Sequence, residues 1–263
     1  MIDKLKHFKA QAIIFDKDGT LINFDAMWGG WTEHLAHQLH QTSGLDVFPL
    51  LCHAFGYDSP SKKVLADGTL AAYPMKQLYD LTVKVMQSFG LDNESAEKIV
   101  KECWCIPDPV LLAKPFADLN ELFSKLQNEK IKIAIATADD RLPTQAMLDA
   151  FDIESYINTF ICADDGVKSK PAPDMVLEIC KRMSIEPSKV MVIGDTTSDM
   201  KMARAAGAGL CVGVLSGVSS AKDLIPYADV IIESIDELHI YLEELIHSKN
   251  IQTKNGLNPD FAF

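Results

Sequence analysis

Six short apolar runs punctuate the chain: Ala12–Phe15, Ile131–Ala136, Tyr156–Cys162, Val190–Ile193, Leu210–Val214 and Val230–Ile232. Such short runs, bounded by polar or glycine turns, predict buried strands. The first runs into Asp16-Lys-Asp-Gly-Thr20, the second stops at Thr137 and the fourth at Gly194-Asp195. Between them lie segments with helical spacing of apolar positions, at Phe116–Lys130, Thr144–Phe151, Asp174–Met183 and Asp199–Ala206. Strands alternating with helices of this length imply right-handed crossovers and a mostly parallel sheet covered on both faces. The predicted fold class is therefore α/β.

One stretch breaks the alternation. From Ile22 to Pro109 no convincing strand is visible, and amphipathic helices are predicted around Ala26–Gln41, Tyr73–Phe89 and Ser95–Cys103. Pro107, Pro109 and Pro115 mark a stiff return, because proline and the residue before it resist helix. The expected organisation is a core of residues 1–21 and 111–248, a helical insertion at 22–110, and a loose polar tail at 249–263. Asp-Gly-Thr-Leu occurs at 18–21 and again at 67–70, but the second copy lacks the preceding strand and has Leu65 where the upstream aspartate would be. It reads as a loop turn.

Charge narrows the partners. With 37 acidic against 25 basic residues the chain carries a net −12, and Arg141, Arg182 and Arg204 are its only arginines. That leaves no positive field for nonspecific nucleic-acid binding. The longest apolar stretch, Ala205–Leu215, is too short to cross a bilayer, so no membrane partner is expected. Lys4, Lys6 and Lys9 interrupt the first residues where a signal peptide would need an apolar run, which points to the cytoplasm. The six cysteines are too sparse for a disulfide scaffold and read as reduced thiols, Cys103 and Cys105 included. His34, His37 and His40 spread around a helix when turned 100° per residue, and read as solvated or structural. Oligomeric state is not legible.

In open parallel sheets, reactive groups collect beyond the carboxyl ends of strands. That rule selects Asp16, Asp18, Thr137, Asp164, Asp165, Asp195 and Asp199, with Lys168 or Lys170 nearby. So many carboxylates around one crevice repel, by on the order of 4 kcal/mol for a pair ~4 Å apart at an effective dielectric of ~20. A cation among them is required, and hard oxygen ligands favour Mg²⁺, which also bridges to phosphate. A carboxylate such as Asp16 can attack phosphorus, and a second, Asp18, can protonate the leaving oxygen and later deprotonate water. The hydroxyl of Thr137 and the ammonium of Lys170 can stabilise the equatorial oxygens.

These residues fall into four ordered motifs: Asp16-Lys-Asp-Gly-Thr20, Thr137 after its strand, Lys170-Pro-Ala-Pro-Asp174, and Gly194-Asp-Thr-Thr-Ser-Asp199. In them, and in Ala206-Gly207, Val214-Leu215-Ser216-Gly217 and Ala228-Asp229, the chain resembles the phosphatases of the haloacid dehalogenase-like (HAD) superfamily over roughly residues 10–240. The resemblance implies a Rossmann-like sheet core with an inserted α-helical cap that closes over small substrates. It implies an aspartyl-phosphate on Asp16, general acid/base catalysis by Asp18, and phosphate binding by Gly19, Thr137, Ala138 and Lys170. A Mg²⁺ site of Asp16, Asp18 through its backbone carbonyl, Asp195 and Asp199 follows in the same way. The expected function is hydrolysis of a small phosphorylated metabolite of the phosphoglycolate or sugar-phosphate type.

Two features depart from that pattern. Lys17 stands where capped members usually carry an apolar residue; strand alternation predicts that its side chain points away from Asp16 and Asp18. Residues 22–110 contain no arginine to grip a substrate carboxylate, leaving Lys62, Lys63, Lys76 or Lys84. Asp199 and Asp174 have an alternative reading as helix-start acids, Arg141 as a helix-start residue or anion contact, and Trp28 and Trp31 as insertion core or substrate-facing. Gly207, Gly209 and Gly213 precede a strand rather than follow one, so a dinucleotide fingerprint fails. Rival readings are a sugar-phosphate mutase, a phosphonatase using a cap lysine, and a non-catalytic scaffold; dehalogenation leaves Asp18 without a task.

Overall fold

The structure is a computed structural model that describes residues 2–65, 68–72, 75–105 and 113–245. The segments containing Pro107, Pro109 and the 249–263 tail lie outside the described residues. Two compact units result: Met1–Ile22 with Pro115–Phe263, and Asn23–Lys114.

The first unit is built on a parallel six-stranded sheet. Its strands are β1 (Ala12–Phe15), β4 (Lys132–Ala136), β5 (Ile157–Ile161), β6 (Val190–Gly194), β7 (Leu210–Val214) and β8 (Val230–Ile232), in the order β5-β4-β1-β6-β7-β8. β1 is central, with Ile14 in register with Ala134 on one side and Val192 on the other. All residues of β1, β6 and β7 are buried, which explains why they read as unbroken apolar runs rather than alternating ones.

Helices cover both faces. Ala12 and Ile14 join Val176 and Ile179 of one helix (Asp174–Met183) and Met200 and Ala203 of another (Thr197–Ala206) in one core cluster. Phe15 points the opposite way by the period of two and meets Phe123 of the helix Leu119–Asn128, ring centroids 5.5 Å apart. The strands expected from the sequence all form, and the helices start within a few residues of expectation. Arg141–Ala150 opens three residues earlier than its apolar spacing suggests, with the extended Asp140 as its N-cap residue.

The second unit is mainly helical: α2 (Phe24–Ser43), α3 (Phe48–Phe55), a short turn of helix at Thr69–Ala72, α5 (Met75–Gln87) and α6 (Asn93–Cys103), where α1 is the amino-terminal Ile2–His7 and α4 the Thr69 turn. Asn23 caps α2 by accepting the Ala26 amide at 2.9 Å, and Gly44 ends it in the left-handed conformation. Contrary to the all-helical expectation, Tyr57–Asp58 and Lys63–Val64 pair as antiparallel strands β2 and β3. The Asp25 carboxylate accepts the Val64 amide and ties this ribbon to α2. The core centres on Trp31, fully buried, stacked on Phe55 at 5.7 Å and edge-on to Trp104 at 5.3 Å. No helix among the described residues is long and apolar enough to cross a membrane.

Candidate active site

The chain leaves β1 at Phe15, and the Asp16 amide still follows the ladder, donating to Ile193 O at 2.8 Å. Immediately afterwards the backbone turns: Leu21 and Ile22 amides both donate to Lys17 O, and Gly19 takes a φ of +84°. Only glycine adopts that conformation without strain, and here it has a second reason to be glycine. A Cβ on Gly19 would lie 2.6 Å from an Asp195 carboxylate oxygen.

Three carboxylates gather at this edge. Asp16, Asp195 and Asp199 are all buried and bring one oxygen each within 4.8 Å of one another. Lys170, from the loop before Asp174–Met183, places its ammonium 2.5 Å from Asp16 Oδ1 and 2.5 Å from Asp199 Oδ1. Three carboxylates and one ammonium leave a formal charge of −2 in a desolvated space. Burial is the largest influence on Asp16 and raises its pKa; Lys170 pulls it down, Asp199 and Asp18 push it up again, and it lies at about 7. Burial, then Asp16 and Asp199, hold Asp195 well above the ordinary carboxylate range. Burial tends to discharge Lys170, but Asp16 and Asp199 more than offset it and keep the ammonium charged.

The two acids on the β6 side are held by their surroundings. Asp199 Oδ2 accepts from the Thr196 amide and hydroxyl, while the Asp199 amide donates to Thr196 Oγ1, a reciprocal cap on the Thr197–Ala206 helix. Both readings of Asp199 are thus present in one side chain: one oxygen caps the helix, the other faces Lys170. Asp195 Oδ2 accepts the Val218 amide at 2.9 Å, whereas Asp195 Oδ1 is buried with no hydrogen-bond partner. A buried, unpartnered carboxylate oxygen is costly unless a cation meets it. That orphaned oxygen, the residual charge of −2 and the all-oxygen donor set fit a hard divalent ion.

Thr137 ends β4 and is buried; its hydroxyl accepts the Asp139 amide at 3.1 Å, which leaves the O–H proton free to donate. Ala138 follows it and is exposed. Lys17 corrects its expectation. Rather than pointing away, its buried ammonium lies 2.8 Å from Asp18 Oδ2 and 2.8 Å from Asp139 Oδ2. The alternation argument fails because the backbone is no longer extended beyond Phe15. Burial tends to discharge Lys17, and Asp18 with Asp139 overcome that and hold its pKa above the usual lysine range.

Other candidates are employed elsewhere. Arg141 grips Asp165 with two hydrogen bonds of 2.7 and 2.6 Å, lies over the Phe160 ring, and its amide donates to Asp164. It is a structural clasp between the loops after β4 and β5. Lys168 is exposed. Asp174 opens its helix as a first-turn acid. Trp31 is insertion core, while Trp28 is half-buried against it. His37 pairs with Gln41 and His40 with Leu45 O, and all six cysteines are free. Sequence reasoning missed the loop 216–218 as a structural wall: Ser216 donates to Gly19 O at 2.7 Å, and a Cβ on Gly217 would lie 1.9 Å from Asp195 Oδ2. Only the glycine beside Ser216 signalled that closeness.

The profile of the haloacid dehalogenase-like hydrolases matches residues 10–207, a span that holds every acid of this cluster and Lys170. The chain belongs to the haloacid dehalogenase-like hydrolase family. Among individual relatives, the phosphoglycolate phosphatase of Escherichia coli K12 is 31% identical over 141 residues, 53% of this chain and 55% of that protein. The chain thus matches about half the length of that relative. A Clostridium perfringens protein provisionally named a pyrophosphatase is 30% identical over 76% of this chain and 82% of its own length. A Thermotoga maritima structure provisionally named a beta-phosphoglucomutase superposes with a TM-score of 0.61 at 20% identity, covering 91% of this HAD chain and 99% of that one. At that identity the likeness concerns the fold.

Proposed function

We propose that this HAD family member is a Mg²⁺-dependent phosphomonoester hydrolase acting on a small phosphorylated metabolite through an aspartyl-phosphate. The observation that carries this reading is the buried Asp16–Asp195–Asp199 triad with Lys170 against Asp16. A strongly anionic site of this kind repels an anionic ester unless a cation offsets it. Mg²⁺ held by Asp16, the Asp18 backbone carbonyl, Asp195 and Asp199 would supply charge neutralisation and orient the phosphoryl group.

The protein's own groups do the rest. Asp16 attacks phosphorus as its carboxylate; the P–O ester bond breaks and Asp18 gives a proton to the departing oxygen. Asp18 then takes a proton from water, the resulting hydroxide attacks phosphorus, and inorganic phosphate leaves as the Asp16 carboxylate is restored. Thr137 donates its free O–H and Lys170 its positive charge to the equatorial oxygens, and exposed Ala138 and buried Gly19 border them in this reading. The relatives named as phosphatases support this reading of the substrate class. Localisation in the cytoplasm accompanies a small soluble metabolite as substrate.

A screen of phosphorylated metabolites for released phosphate, with Mg²⁺ and with chelator, tests the proposal. Release is expected with Mg²⁺ alone. Asp16→Asn is expected to lower kcat by at least ~10³-fold because it removes the nucleophile. Activity equal to the parent's would defeat the reading. With hexose phosphates, free phosphate rather than isomerised sugar is expected.

A further inference from the structure

The proposed reaction assigns no role to the ion cluster of Lys17 with Asp18 and Asp139. Lys17 is nearly wholly buried, its side chain 3% exposed, while the two carboxylates it joins are 23% and 35% exposed. Its ammonium therefore cannot remain without an anion, whereas either carboxylate can turn toward solvent at little cost. The two partners come from different places. Asp18 sits in the turn after β1, and Asp139 in the loop after β4, where its amide is fixed on Thr137 Oγ1. Asp18 binds the ammonium through both oxygens, at 3.0 and 2.8 Å.

We propose that Lys17 is a positioning residue for Asp18: it holds the Asp18 carboxyl group at rest, and Asp139 is the anion that stays with Lys17 when Asp18, bearing the proton it took from water in the preceding turnover, turns to the ester oxygen. One ammonium shared by two carboxylates lets Asp18 leave without stranding a buried cation. Removal of Lys17 frees Asp18 to wander, and removal of the Asp139 charge makes Asp18 harder to release. This inference rests on the proposed hydrolase reading, in which Asp18 carries the proton.

The choice of leaving group separates positioning from general structural damage. An alkyl phosphate releases a strongly basic alkoxide and needs Asp18's proton; p-nitrophenyl phosphate releases a weakly basic phenolate and hardly needs it. Because kcat/KM reports through the first irreversible step, it isolates that departure. The probes are p-nitrophenyl phosphate and 2-phosphoglycolate or a hexose 6-phosphate, whichever alkyl ester the parent turns over faster. Lys17→Met is expected to lower kcat/KM on the alkyl ester by about 10- to 100-fold and on the aryl ester by less than about 3-fold, with partial recovery in Lys17→Arg. Asp139→Asn is expected to show the same selective loss, at roughly 10-fold, mainly in kcat.

Equal losses on both esters, or no loss, would overturn the proposal. Should Lys17→Met fail to fold, Asp139→Asn, a part-exposed substitution, decides in the same way. If Asp16→Asn stays fully active, the hydrolase reading falls and this inference with it; if Asp16→Asn is inactive while Lys17→Met and Asp139→Asn show no selectivity, only the inference falls.

Discussion

Asp195 shows how little room a carboxylate of the buried acid cluster is given. Its Oδ2 is wedged between Gly19 and Gly217 and takes the Val218 amide, so that Oδ1 is the atom left over. Gly217→Ala would force a Cβ to within 1.9 Å of Oδ2, and the carboxylate would have to swing off its amide donor. Groups that orient a metal ligand typically change affinity by about 10- to 100-fold when lost, and a loss in that range is expected for Mg²⁺ in titration calorimetry. Unchanged affinity in a folded variant would contradict the proposed ion position. Asp16, Lys170, Asp195 and Asp199 were identifiable in the sequence because the first and third stand just past strand ends, Asp199 opens the helix that follows β6, and Lys170 precedes a pair of prolines. Lys17 was misread for a local reason: its orientation depends on where the backbone stops being extended, and that is set by the turn at Gly19.

Elements hold these residues at a fixed spacing. The loops after β4 and β5 are tied by Arg141, whose guanidinium meets Asp165 with two hydrogen bonds and stacks over Phe160 at 4.2 Å. The Arg141 hydrogen bonds, foremost, hold the Asp165 carboxyl below its ordinary range. Arg141→Met is expected to cost about 1–2 kcal/mol in chemical denaturation and to leave the chemistry largely intact, because its guanidinium is engaged by Asp165 and Phe160 O. A large fall in kcat with unchanged stability would instead give Arg141 a role in the reaction. Within the inserted unit, Trp31→Ala removes the ring on which Phe55, Trp28 and Trp104 all rest, and also the hydrogen bond to Cys105 O. A loss of about 3–5 kcal/mol is expected from the cavity, read by denaturant unfolding. The parallel strands were legible as solid apolar runs, but the β2–β3 ribbon was not, since two-residue strands show no periodicity. Helix α3, reading Phe48-Pro-Leu-Leu-Cys-His-Ala-Phe55, was missed because it is apolar on nearly every side.

Across the whole molecule the acid cluster links stability to pH and to metal. In the ion-free protein Asp16 has a pKa of about 7 and Asp195 is raised as well, whereas both would titrate near 3.8 when unfolded. The folded state therefore holds protons that the unfolded chain gives up, and this contribution is complete below about pH 4 and lost as pH rises through about 7. Chelator-treated protein is expected to lose melting temperature from this site between about pH 5 and pH 8, and Mg²⁺ to raise it more at the alkaline end, where no proton must be displaced. A Mg²⁺ shift independent of pH would argue against binding at these acids. The order of strands and helices, the charge of the acidic edge and the identity of its four chief residues follow from local pattern, because buried strands and the turns that end them are short-range properties. Which oxygen of Asp195 is left unpaired, which partner Lys17 takes, and why Gly217 must lack a side chain were decided by folding alone, since each depends on atoms brought together from strands far apart in the chain.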